Sequence, residues 1–167
     1  MKRISQVGFF AAIFLAAGVA NAGKYEDTIS LFKNAGESAA FFKNSYAYAV
    51  FPNIGEGGFI VGGAYGQGEV YHQGKRVGYA DMTQATVGAS IGGQTYSELI
   101  VFRTPQALQN FESGQYTFSA DVSGVAAKAG AADNARWEND IAVFADVKGG
   151  LMADASVGGQ KFNFEGE

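Results

Sequence analysis

The stretch Gly57-Gly-Phe-Ile-Val-Gly-Gly-Ala-Tyr-Gly-Gln-Gly68 decides how the fold is read, because it combines β-forming side chains with closely spaced glycines. Glycine inside a strand weakens it and usually marks a bulge, a bend or a place where another group approaches the backbone. Most of the 24 glycines of the chain lie in similar strand-like runs. This pattern predicts an antiparallel β-sheet that is strongly curved and partly closed.

The segments on either side of this stretch also alternate between apolar and polar residues. The runs 69–72 and 77–80 flank the turn-forming segment Gln73-Gly-Lys-Arg76, and together they predict a β-hairpin. Further strands are predicted at residues 46–51, 84–94, 96–102, 116–122, 141–146, 150–157 and 161–164.

Two segments have a helical pattern instead. Between residues 24 and 44, Tyr25, Ile29 and Phe32 recur at the spacing of one helix face, which favours an amphipathic helix packed on the sheet. Thr104 is a suitable N-cap and Pro105 a suitable first residue for a short helix at 105–111. The predicted fold class is therefore α+β, with an N-terminal amphipathic helical segment, one short helix and the antiparallel sheet.

The N-terminus has the features of a secretory signal peptide. Met1-Lys-Arg3 is basic, residues 7–20 are apolar, and Ala20-Asn-Ala22 forms an A-x-A cleavage site. The apolar run is shorter than the roughly 20 residues of a membrane-spanning helix. We therefore expect a signal peptide at residues 1–22 and a single domain at residues 23–167.

Charge and cysteine content narrow the class of protein. Removing residues 1–22 takes away two of the 12 basic residues and none of the 16 acidic ones, so the net charge falls from −4 to −6. This acidic balance argues against nucleic acid as a partner, since phosphate contacts require clustered Lys and Arg. An exported chain without cysteine forms no disulfides, and this favours a bacterial periplasmic or envelope-associated location.

The segment Gly88-Ala-Ser-Ile-Gly92 matches the G-x-S-x-G pattern of a hydrolase nucleophile. A nucleophile elbow needs a helix directly after the serine, yet the residues around Ser90 read as a continuous strand. The single histidine, His72, precedes Ser90, whereas the elbow order places it last. We therefore expect no catalytic residue, no metal ion and no cofactor, and interpret the chain as a binding or structural protein.

The order of these motifs resembles that of the SYLF domain family, across residues 27–164. The matching segments are Ala49–Pro52, Gly57–Gly68, Gly74–Met82, Ser90–Gln94, Glu98–Phe102, Pro105–Phe111, Phe118–Ser123 and Val147–Ala153. Two positions depart from the family pattern: Val77-Gly-Tyr79 lacks the frequent tryptophan, and Thr95-Tyr96 follows Gln94 where the family often continues Gln-x-Gly.

The resemblance implies a non-enzymatic lipid-binding protein; fungal members of the family also bind actin, a partner that we do not expect for an exported bacterial protein. An apolar groove in the curved sheet and basic side chains are the expected contacts with phospholipid or a membrane surface. Lys75 and Arg76 at the hairpin are the first candidates for an anionic headgroup, and Lys33 and Lys43 are further candidates.

Two alternatives remain open from the sequence. A signal peptide, about eight strands and many aromatic residues are also features of a small outer-membrane β-barrel, although the runs are short and broken by glycine. The other alternative is an envelope structural or stress-related protein whose partner is another, unidentified protein.

Overall fold

The chain is described by a computed structural model, which covers residues 22–55, 63–85, 96–114, 137, 139–147, 150–152 and 160–167. The helices are α1 (22–34), α2 (Gly36–Lys43) and α3 (Pro105–Glu112). The strands are β1 (Ala47–Gly55), β2 (Gly63–His72), β3 (Lys75–Ala85), β4 (Tyr96–Phe102), β5 (Ile141–Val147), β6 (Gly150–Met152) and β7 (Gln160–Gly166).

The strands form one antiparallel sheet with the order β6-β5-β4-β1-β2-β3-β7. Strand β1 therefore lies at the centre, and the two edges are β6 and β7. Within the described ranges these edge strands do not pair with each other, so the sheet is open there. The predicted α+β class, with its N-terminal helical segment and short helix, is confirmed.

Several predicted features lie outside the described residues. They include residues 1–21 of the expected signal peptide, the glycine-rich residues 57–62, the segment 86–95 with Ser90, and the expected strand at 116–122.

The in-strand glycines of β2 lie where apolar side chains approach the backbone. A Cβ atom on Gly68 would lie 2.5 Å from the ring of Phe51, and one on Gly66 would lie 2.6 Å from Cγ1 of Ile54. Both distances are shorter than van der Waals contact, so a larger residue at either position would displace its neighbour. The expectation that these glycines mark close approaches to the backbone is confirmed.

Two irregularities interrupt the pairing of the sheet. The register of β1 against both neighbours shifts before Ile54, next to Pro52, which has no N–H for the ladder. The hairpin of β2 and β3 contains a second shift, between Val70 and Tyr71. Such bulges bend a strand and increase its twist. The hairpin turn itself is Gln73-Gly74, both with positive φ as two-residue hairpin turns require.

One face of the sheet is filled by aromatic side chains beneath α3. Phe111 of α3 lies with its ring centroid 5.0 Å from both Phe102 and Phe162. The predicted cap of this helix is present, because the backbone N–H of Ala107 donates to Thr104 Oγ1 at 3.2 Å. This face forms the larger core of the protein.

The opposite face is covered by α1 and α2 over β4 and β5. Phe32 of α1 is fully buried against Leu99, Val101 and Phe144, and Phe41 of α2 packs edge-on to Phe144. The predicted amphipathic helix packed on the sheet is thus confirmed. In the described part of the chain, no helix has the length and apolar character required to cross a bilayer.

Candidate functional site

The half of this second face that belongs to β2, β3 and β7 carries an open, polar cavity. The apolar contacts of α1 and α2 lie over β4 and β5, and α1 reaches β2 through its first turns, where the hydroxyl of Tyr25 donates to the carbonyl of Gln67 at 3.3 Å. A cavity of about 690 Å³, which we call the tyrosine cavity, remains beside this contact. It is lined by Ala22, Lys24, Tyr25, Pro52, Asn53, Tyr65, Gly66, Gln67, Gly68, Glu69, Arg76, Tyr79, Asp81 and Glu165.

Strand register places carboxylates beside tyrosine rings in this cavity. Tyr79 of β3 lies directly opposite Glu69 of β2 and Glu165 of β7. Directly opposed residues have Cβ atoms about 5 Å apart, so the ring lies between two carboxylates. Tyr65 and Asp81 are diagonal neighbours, and the Tyr65 hydroxyl donates to Asp81 Oδ1 at 3.1 Å.

One basic side chain of the protein, that of Arg76, already lies among the tyrosines and carboxylates of this cavity. The guanidinium of Arg76 lies 4.7 Å from the ring centroid of Tyr79. It donates to Glu69 Oε1 at 3.1 Å and to Glu167 Oε1 at 2.7 and 2.9 Å. The hydrogen bond to Glu167, together with the charge of Glu69, raises the pKa of Arg76 above its ordinary value. Tyrosine rings and carboxylates together therefore hold a cation at this end of the sheet.

Burial and the carboxylate of Glu69 raise the pKa of two phenols in or beside the cavity, those of Tyr25 and Tyr71. Burial, followed by the charge of Glu69, raises the pKa of Tyr25 to about 12. Burial and a hydrogen bond to Glu69 likewise raise the pKa of Tyr71, which lies next to the cavity. Both hydroxyls are therefore neutral donors at any physiological pH.

The fixed charges of the tyrosine cavity sum to a negative value. Its lining contains the three carboxylates Glu69, Asp81 and Glu165 against the two cations Lys24 and Arg76. Glu69 is paired with Arg76, whereas neither Asp81 nor Glu165 has an ion-pair partner within the described ranges. The cavity thus offers two carboxylates beside aromatic rings to an incoming group.

The structure distributes the four predicted headgroup residues over the hairpin and the two N-terminal helices. Lys75 and Arg76 begin β3, directly after the turn, and of the four only Arg76 lines the tyrosine cavity. Lys33 lies on α1 with its Nζ 5.7 Å from the ring centroid of Phe42, and Lys43 is the exposed last residue of α2.

The concavity differs from the apolar groove expected from the sequence, since its described walls are polar and tyrosine-rich. Sequence reasoning did not identify Tyr25, Tyr65, Tyr79, Asp81 or Glu165 as site residues. A usable signal exists in the hairpin: the odd-numbered positions 65, 67, 69 and 71 of β2 and 79, 81 and 83 of β3 are all polar or tyrosine and lie on one face.

His72 and Asp140, whose residue types are common in catalytic and metal sites, make no such site in the described part of the chain. His72 lies at the end of β2 with its ring centroid 4.2 Å from that of Tyr46. Asp140 is engaged by Arg103 in a surface ion pair. Among the described residues, no three His, Cys, Asp or Glu side chains gather closely enough to hold a metal ion.

Two comparisons relate the chain to known proteins. Residues 83–167, about half of the chain, match the model of the family described as "Ysc84: Las17-binding protein actin regulator". The chain is also 27% identical over 136 residues to beta cell expansion factor A of Aeromonas veronii, and the match covers 80% of this chain. It covers 51% of that relative, so the chain spans about half the length of the curated relative that it matches.

Proposed function

The chain belongs to the SYLF (Ysc84) family, and from this premise we propose that it is a non-enzymatic protein that binds phospholipid at the cell envelope. The observation that carries the proposal is the tyrosine cavity. Its volume of about 690 Å³ lies in the range of small-molecule sites, and it opens on the half of the sheet that α1 reaches only through its first turns. Because its walls are polar, the lipid headgroup is the part of the ligand that it suits.

The side chains of the cavity support binding more than catalysis. The described lining contains no serine, threonine, cysteine or histidine, which are the usual nucleophiles and bases of hydrolytic sites. Glu69 is engaged by Arg76 and Tyr71, and Asp81 by Tyr65, so that these carboxylates hold the walls together. The family description, which names Las17 binding and actin regulation, is also that of a binding protein.

Exposed lysines supply the attraction to an anionic membrane surface in this proposal. Lys75 at the hairpin and Lys33 and Lys43 on the helices are exposed, and a lysine near an anionic bilayer contributes about 1 kcal/mol. Arg76 contributes less, because its guanidinium is already bound to Glu69 and Glu167.

Co-sedimentation with phospholipid vesicles tests the proposal. The full chain, purified as its host processes it, is expected to sediment with vesicles containing anionic lipid. Lys75→Glu combined with Lys33→Glu and Lys43→Glu is expected to weaken the binding by about tenfold or more. The control is Lys161→Glu, an exposed position on β7, which is compared with each of the three single variants because it changes the charge by the same amount as each of them. Absence of sedimentation of the unmodified protein with every vesicle composition would refute the proposal.

We also propose export to the periplasm, which rests on the basic, apolar and A-x-A pattern of residues 1–22. Release of the protein by osmotic shock, with Gly23 as the first residue by N-terminal sequencing, is the expected result. Recovery of the protein only with the cytosol would contradict this part of the proposal.

A further inference from the structure

The tyrosine cavity combines aromatic rings with two carboxylates that form no ion pair with any described residue, and this combination selects for a particular chemical group. A cation over the face of a tyrosine is attracted by the negative face of the ring, and the attraction grows when the site also excludes water. Asp81 lies beside Tyr65, and Glu165 lies opposite Tyr79, so each carboxylate adjoins a ring. Anions are disfavoured near these two carboxylates, since like charges repel.

We propose that the tyrosine cavity binds an organic ammonium group, such as the amine of an ethanolamine or choline headgroup. Tyr25, Tyr65 and Tyr79 supply the rings and hydroxyls, and Asp81 and Glu165 supply the countercharge. The inference deepens the proposed function and rests on it for the lipid as source of the amine. The ammonium chemistry itself rests only on the residues of the cavity.

Arg76 shows within the same structure that one ring of the cavity, that of Tyr79, already holds a cation. Its guanidinium lies against Tyr79 and between the carboxylates of Glu69 and Glu167. Tyr65 is 39% exposed and Tyr79 is 43% exposed, so both rings remain accessible from solvent beside Arg76. The walls on β2, β3 and β7 are fixed by the strand ladder, so the ammonium group enters a cavity that is already formed.

Lys24 offers a variant that is expected to strengthen the binding of an ammonium group instead of weakening it. Its side chain lines the cavity and carries a positive charge that competes with an incoming cation. Removing that charge by Lys24→Gln is expected to tighten the binding of an ammonium group about twofold, whereas it would weaken the binding of an anion.

Titration of the full chain with ethanolamine hydrochloride and with tetramethylammonium chloride tests the proposal. Potassium chloride at the same ionic strength is the control salt, and amide chemical shifts are the measurement. Shifts confined to β2, β3, β7 and the start of α1 are expected. Asp81→Asn and Glu165→Gln are each expected to weaken binding about two- to fivefold, and Tyr79→Leu about three- to fivefold. Glu26→Gln, an exposed acidic position of α1 outside the cavity lining, is expected to change nothing.

Two results would overturn the inference: shifts that potassium reproduces, or affinities that Asp81→Asn and Glu165→Gln leave unchanged while both variants keep the thermal stability of the parent. Vesicles then distinguish the source of the amine. A preference for mixed phosphatidylethanolamine and phosphatidylglycerol vesicles over vesicles of phosphatidylglycerol alone, lost in the Asp81→Asn, Glu165→Gln double variant, supports a lipid headgroup. Binding of the free amines without sedimentation on either vesicle supports the ammonium site while it refutes the proposed lipid function.

Discussion

The two halves of one sheet face have opposite characters although they belong to one continuous sheet. Over β4 and β5 the face is apolar, and Phe32 of α1 is buried there against Leu99 and Val101. Over β2, β3 and β7 the face carries tyrosines and carboxylates around an open cavity. Since α1 lies over both halves, the difference arises from the outward positions of the strands. Apolar residues there attach the helix, and polar residues there leave a site beside it.

Replacing Phe32 by alanine is expected to give the largest effect, because it removes the side chain that fixes α1 on the apolar half. Truncation of a fully buried phenylalanine costs about 3–5 kcal/mol in the free energy of unfolding. Chemical denaturation measures the change. Leu31→Ala, at a neighbouring position that is 41% exposed, is the control and is expected to change stability by about 0.5 kcal/mol or less. Equal losses in the two variants would show that α1 is not attached through Phe32.

Replacing Arg76 by glutamine tests the ionic network of the polar half. The change leaves Glu69, which is 7% exposed and still accepts from Tyr71, without its cationic partner, and losing a hydrogen bond to a charged group costs about 1.5–3 kcal/mol. Arg103→Gln is a close control, because Arg103 also pairs with a carboxylate, Asp140, and also lies on an aromatic ring, that of Trp137. Its pair is exposed, so its loss is expected to cost less than about 1 kcal/mol. Equal costs would show that burial of Glu69 has no energetic consequence.

The smallest expected effect is on the pH dependence of stability and comes from Tyr25, which lies at the boundary between the apolar and polar halves. Its pKa is raised to about 12 in the folded protein, against about 10 in an unfolded chain. The folded state therefore holds the phenolic proton more tightly, and this contribution to stability is present below pH 10 and is lost as the pH rises towards 12. The difference in tyrosinate absorbance between the protein and Tyr25→Phe measures it. A midpoint near pH 10 in that difference would show that Tyr25 is not held beside Glu69.

Local patterns predicted the elements of this fold well. The spacing of Tyr25, Ile29 and Phe32 predicted the helix and its buried face, and Thr104 and Pro105 predicted the start of α3. These signals depend on residues that are close in sequence, so they can be recognised without knowledge of the tertiary structure. The glycine pattern predicted close approach to the backbone in β2 for the same reason, although it did not identify Phe51 as the neighbour of Gly68.

The site was harder to predict because strand register assembles it. Tyr79 lies between Glu69, which is close in sequence, and Glu165, which comes from the last strand. The alternation of side chains along a strand assigns a residue to one face of the sheet, but it does not identify the neighbour of that residue on the next strand. Arg76 illustrates the consequence: its position beside a hairpin turn suggested a free basic group, whereas the fold pairs it with Glu69 and Glu167. The lysines of the original prediction remain candidates for the membrane surface.

The place of β7 at the edge of the sheet affects how the protein assembles. Strands β2 and β3 are joined by a two-residue turn, so their pairing closes a very short loop and forms early. Strand β7 joins β3 through partners such as Asp81 and Asn163, which lie far apart along the chain, and closing so long a loop costs more entropy. We therefore expect β7 to dock late and to exchange its amide protons sooner than β2. Since Glu165 is carried by this strand, the tyrosine cavity acquires this carboxylate in the closing stage of folding, and a nascent chain that lacks β7 has an incomplete cavity wall.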